Sequence, residues 1–155
     1  MLIKSLYTVF IGLLLATCVG VGIAAFYSKP VPPATLYTVP YATDPAGNKT
    51  QANTAELKQA DEQQAAYQTA SERYNRNVSL LAVGFSLVIL VVSLLLLGSV
   101  ELIANGIMLG GVFTLIYGLI RSFASGNQKF MFVVVTFGLL VALILGYVKL
   151  IKAKA

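Results

Sequence analysis

A chain of 155 residues with 57% hydrophobic and 11% charged residues lies far from the balance of a soluble domain. It has no histidine and one cysteine, Cys18, which excludes His-ligated zinc or haem, Cys-Cys metal knuckles, a Ser-His-Asp triad and an intrachain disulfide. The net charge of +5 points to anionic lipid headgroups at the chain ends rather than to nucleic acid.

Four uncharged stretches, 5–28, 77–100, 102–120 and 130–148, match the roughly 20 apolar residues that a membrane span requires. They predict an all-α membrane protein of four transmembrane helices, the second extended outside the membrane as a polar, amphipathic stalk. The predicted order is a first transmembrane helix over 1–28, a Pro-rich exported loop over 29–53, and an exported helical stalk over 54–77 continuous with the next span. A three-helix serpentine over 78–155 follows, ending in a short basic tail.

The first span follows Lys4 and runs on through Val19, Val21, Ile23 and Phe26 to Tyr27. A secretory signal core of about 7–15 residues would stop earlier, so this stretch is read as a span that stays. Leu15-Ala16-Thr17-Cys18 is similar to a lipoprotein processing site, but Thr17 is large for its place and the apolar run continues past Cys18. Cys18 is read as a small, buried, inert residue. Gly12, Ala16, Gly20 and Ala24 recur at every fourth position. That spacing places them on one helix face, where absent side chains allow a neighbouring backbone to approach.

In the exported segment, Pro30, Pro32, Pro33, Pro40 and Pro45 oppose helix, and 44–48 reads as a turn. Tyr37, Val39 and Tyr41 alternate as on a short extended strand that covers the neighbouring helix or docks another protein. Asn53 and Glu56 have capping-box spacing, and 54–77 contains neither Pro nor Gly. Leu57, Ala60, Tyr67, Ala70 and Tyr74 form a narrow stripe whose seven-residue beat continues through Leu81, Val88 and Leu95. One helix is expected from about 54 to 97, and the stripe is expected to meet a partner because an isolated polar helix is marginal in water. Asn48 and Asn77 each begin a glycosylation pattern.

The second span carries Ser79, Ser86 and Ser93 at sevens, a seam suited either to close packing or to lining a narrow water path. Gly98-Ser99 marks a tight hairpin, with Ser99 able to cap the third helix and Glu101 in its first turn. Glu101 and Asn105 lie one turn apart. Capping accounts for the carboxylate and an interhelical hydrogen bond for the amide, while together they could hold a cation or pass a proton. The third span repeats the small-residue face with Gly106, Gly110, Thr114 and Gly118, and the fourth with Gly138, Ala142 and Gly146. Between them, Arg121, Ser122, Ser125, Gly126, Asn127 and Lys129 read as a solvated turn.

Lys4 precedes the first span and Lys149, Lys152 and Lys154 follow the last, whereas 29–76 holds five positive and five negative residues. The positive-inside rule then predicts cytoplasmic termini with 29–76 exported. No catalytic residue, cofactor or metal is expected, because no convergent set of acids, bases or phosphate-binding groups is present. The sequence is read as a non-enzymatic membrane subunit, either a homo-oligomer or an accessory or scaffold part of a larger complex, in contact with membrane lipid. A small channel or ion-coupled transporter component is the competing reading, using the serine seam or the Glu101 and Asn105 pair.

Overall fold

The computed structural model describes residues 2–33, 54–96 and 100–152, with only the backbone for 54–57 and 149–152. The extended strand, the 44–48 turn, the Asn48 pattern, the Asn53 cap and the Gly98-Ser99 hairpin lie outside the described residues, as does the Leu57 side chain. Four helices are present: α1 Leu2–Phe26, α2 Thr54–Leu96, α3 Glu101–Phe123 and α4 Gln128–Lys152. Each is long and apolar enough to cross a membrane, and the described residues contain no strand.

α2 is continuous for 43 residues, about 64 Å at 1.5 Å per residue. Its first six turns are rich in Ala, Gln, Glu and Lys, good helix formers that contribute no breaker. The residue that caps α3 is Val100, and among the described residues no side-chain cap hydrogen bond is made to its first turn. Glu101 lies in that first turn, at the positive end of the helix dipole.

α3 is the central helix, with α1 and α2 against two of its faces and α4 against a third. The most apolar stretch of α3 is 39% buried, compared with 11% for α1 and 17% for α4, so the outer two helices leave most of their apolar surface uncovered within the chain. α1 runs parallel to α3, and α2 and α4 run antiparallel to it. α1 and α2 meet where Ile23, Tyr74, Val78 and Ala82 form a buried cluster.

The α3–α4 turn is less solvated than its sequence suggests. Ser122 and Ser125 are buried, and their hydroxyls are bonded to carbonyls near the end of α3: Ser122 donates to Leu119 O and Ser125 to Ser122 O. Gly126 reverses the chain at φ 67°, and Asn127 accepts from the Phe130 amide at 3.1 Å to start α4. Gly126→Ala is expected to lower stability by about 1–2 kcal/mol, the cost of a left-handed conformation for a residue with a Cβ. Thermal unfolding in micelles would measure it.

Candidate functional site

The small residues of α3 divide between two partners. Gly106 and Gly110 face α1, where a Cβ on Gly106 would lie 3.0 Å from Ile11. On Gly110 it would lie 2.9 Å from Leu15 Cβ and 3.2 Å from the Gly12 carbonyl. Gly12 reciprocates, with a Cβ there 3.1 Å from the Gly110 nitrogen. The two backbones therefore meet at Gly12 and Gly110. Thr114 is buried beside them and donates to Gly110 O of its own helix at 2.8 Å.

The second face of α3 receives the serine seam of α2. Ser79 donates to Gly118 O at 2.8 Å, Ser86 to Gly111 O at 2.9 Å and Ser93 to Ala104 O at 2.7 Å. The serines ascend by sevens while their acceptors descend by sevens, the repeat of left-handed antiparallel pairing. All three serines are fully buried. Small acceptor residues are required because a larger side chain would hold α2 away: a Cβ on Gly111 would lie 2.6 Å from Leu90. The ladder is worth about 2 kcal/mol, at roughly 0.6 kcal/mol for each hydrogen bond between membrane helices. Ala104 and Gly111 were not singled out in the sequence, although with Gly118 they share the spacing of the serines.

The remaining small residues are not drawn together. Ala16 and Gly20 line a shallow groove with Phe113 and Tyr117, and Cys18, expected to be buried, is exposed. No atom lies within 4 Å of a Cβ on Gly20, and Ala24 is exposed. On α4, a Cβ on Gly138 would meet Leu115 and Leu119 at 3.6 Å, Ala142 is exposed, and a Cβ on Gly146 would meet nothing within 4 Å. The stripe expected on the stalk divides as well. Tyr74 is buried in the bundle and stacks on Tyr27 with centroids 5.4 Å apart, so it is not available to a partner. Ala70 lines a groove of about 560 Å³ with Tyr27, Pro30 and Arg73. Ala60 and Tyr67 are half-buried.

Arg121 is tied into the bundle rather than solvated. Its Nε donates to Tyr117 Oη at 3.1 Å and its Nη1 to Asn75 Oδ1 at 3.0 Å, while Asn75 Nδ2 donates to Ala124 O at 3.1 Å. The guanidinium lies 5.4 Å from the Tyr117 ring centroid and 5.7 Å from that of Tyr74. Asn77 Nδ2 donates to Tyr27 Oη at 2.6 Å, which engages the nitrogen that a glycan would need. Together these groups join α1, α2 and α3 at one end. Arg121→Leu is expected to lose about 2 kcal/mol, since Asn75 and Tyr117 forfeit a charged donor. Arg121→Lys should recover little, because an ammonium lacks the planar fork; unfolding of both variants in micelles would decide.

At the opposite end, Glu101 and Asn105 share a groove of about 790 Å³ with Lys4 and Thr8 of α1. The interhelical hydrogen bond expected of Asn105 is not made by its Oδ1, which is buried and has no partner. Searches against protein-family models, curated proteins and solved structures return no match for this chain.

Proposed function

We propose that this chain is a non-enzymatic subunit of a membrane assembly, in which α1 and α4 meet neighbours in the bilayer and the polar half of α2 meets one outside it. The observation that supports this reading is the division of the small residues. Gly106, Gly110, Gly111 and Gly118 serve packing within the chain, whereas Gly20 and Gly146 have open space around them. Close-approach faces that remain free after the bundle has formed suit a second helix from another subunit. The half-buried Ala60 and Tyr67 supply a matching stripe on the stalk, which gains stability from a partner that an isolated helix lacks. In this reading both termini are cytoplasmic and 29–76 is exported.

Burial of Ser79, Ser86 and Ser93 counts against a water path along that seam, because each hydroxyl is committed to a carbonyl of α3. Mass photometry of the protein extracted directly into native lipid discs tests the proposal. A defined oligomer or a stoichiometric co-purifying membrane protein is expected. A monodisperse monomer with no companion would overturn it.

A further inference from the structure

The groove at the Lys4 end carries both signs of charge above an apolar wall. Lys4 and Thr8 are one turn apart on α1, and Glu101 and Asn105 are one turn apart on α3, so two polar steps line the same groove. Among the described residues neither Lys4 nor Glu101 has an ion-pair partner. The Thr8 hydroxyl is already satisfied by Lys4 O at 2.9 Å. Asn105 also lines the groove, and its Oδ1 is closed off from solvent without a hydrogen bond. An acceptor left unmet in this way is costly. Further along, the lining becomes apolar with Val9, Met108 and Val112. From Glu101 to Val112 the groove follows α3 for about 16 Å, enough for a large part of an acyl chain.

We propose that this groove holds a phospholipid whose headgroup carries a phosphate and a primary ammonium, the phosphatidylethanolamine class. Lys4 takes the phosphate. The Glu101 carboxylate accepts from the ammonium, and one acyl chain lies along Val9, Met108 and Val112. Charge complementarity selects this class over its neighbours. An anionic headgroup without an amine satisfies Lys4 but leaves Glu101 beside a second negative charge. A choline headgroup has the charge but no N–H to donate. The inference rests on the membrane setting of the helices and not on any assembly of subunits.

The test uses the full chain in nanodiscs containing equal amounts of phosphatidylethanolamine, phosphatidylcholine and phosphatidylglycerol, followed by native mass spectrometry of the lipid that stays bound. Wild-type protein is expected to retain the ethanolamine lipid about tenfold over the choline lipid, the scale of one charge-assisted hydrogen bond. Retention should fall stepwise as the amine is methylated. Glu101→Gln should bring the two lipids close to parity, and Lys4→Gln should reduce retention of all three. Equal retention of ethanolamine and choline lipids by the unaltered protein would overturn the proposal. So would a preference for phosphatidylglycerol, which would reduce the groove to simple attraction by Lys4. Displacement of lipid by soluble phosphoethanolamine would also overturn it, since the apolar wall would then have no part. The methylation series needs no substitution, so it decides the matter even if a variant fails to fold.

Discussion

Gly110→Val is expected to detach α1 from α3 and to cost about 3 kcal/mol, at the upper end of the usual penalty for overfilling a packed interior. A Cβ there would lie 2.9 Å from Leu15 Cβ and 3.2 Å from the Gly12 carbonyl. Neither neighbour is the loose end of a side chain, so relief requires the whole α1 backbone to move. Unfolding monitored in micelles would show the loss, and a disulfide-free crosslinking pair placed across α1 and α3 would show the separation. The informative comparison is Gly20→Val, which adds the same bulk to the same kind of face where no atom lies within 4 Å. Within the chain that change should be nearly silent, below about 0.5 kcal/mol. If the proposed assembly uses this face, the variant keeps its monomer fold and loses its partner in native discs. The two glycines thus separate packing that builds the subunit from packing that joins subunits.

Ser86→Leu carries the second large effect, again about 3 kcal/mol. Ser86 is fully buried opposite Gly111, where a Cβ would already lie 2.6 Å from Leu90. A leucine there removes the hydrogen bond to Gly111 O and forces α2 away from α3 over adjoining turns. Ser86→Ala should cost only about 0.6 kcal/mol, and the triple alanine variant at 79, 86 and 93 about 2 kcal/mol, because each carbonyl keeps its own helical bond. A serine-lined pore makes the opposite prediction: the leucine variant folds normally and merely blocks flux. Unfolding and liposome flux measured on one preparation decide between them. A stable but blocked Ser86→Leu would show that the ladder is not what holds α2 to α3.

Much of the architecture is legible in the chain itself. Four uncharged stretches identify the helices, since a hydrophobic run of span length has few alternatives. The absence of Pro and Gly from 54 to 83 accounts for α2 continuing unbroken through its polar half and into the apolar run. The heptad of serines was legible as a seam but not as a ladder. Its meaning depended on Ala104, Gly111 and Gly118, distant residues that share its spacing. Arg121 was less legible, because a charged residue at the end of an apolar run reads as solvated whether or not aromatic rings surround it. Its partners Asn75 and Tyr74 lie 46 and 47 positions earlier in the chain. The same distance hid the role of Tyr74, which belongs to the stalk by periodicity and to the bundle by packing.

By itself, then, the sequence determined which segments are helices, how long they are and which faces carry small residues, because these follow from local hydropathy and from the helical repeat. Only the tertiary structure decided which of those faces are occupied. Each face with four-residue spacing has the same local character, yet α1 closes on α3 at Gly12 and Gly110 and leaves a groove between them at Ala16 and Gly20. Occupancy is a property of pairs of helices, determined by where side chains from distant parts of the chain collide or clear one another. That is why Gly12 and Gly110 are closed within the bundle while Gly20 and Gly146 remain open.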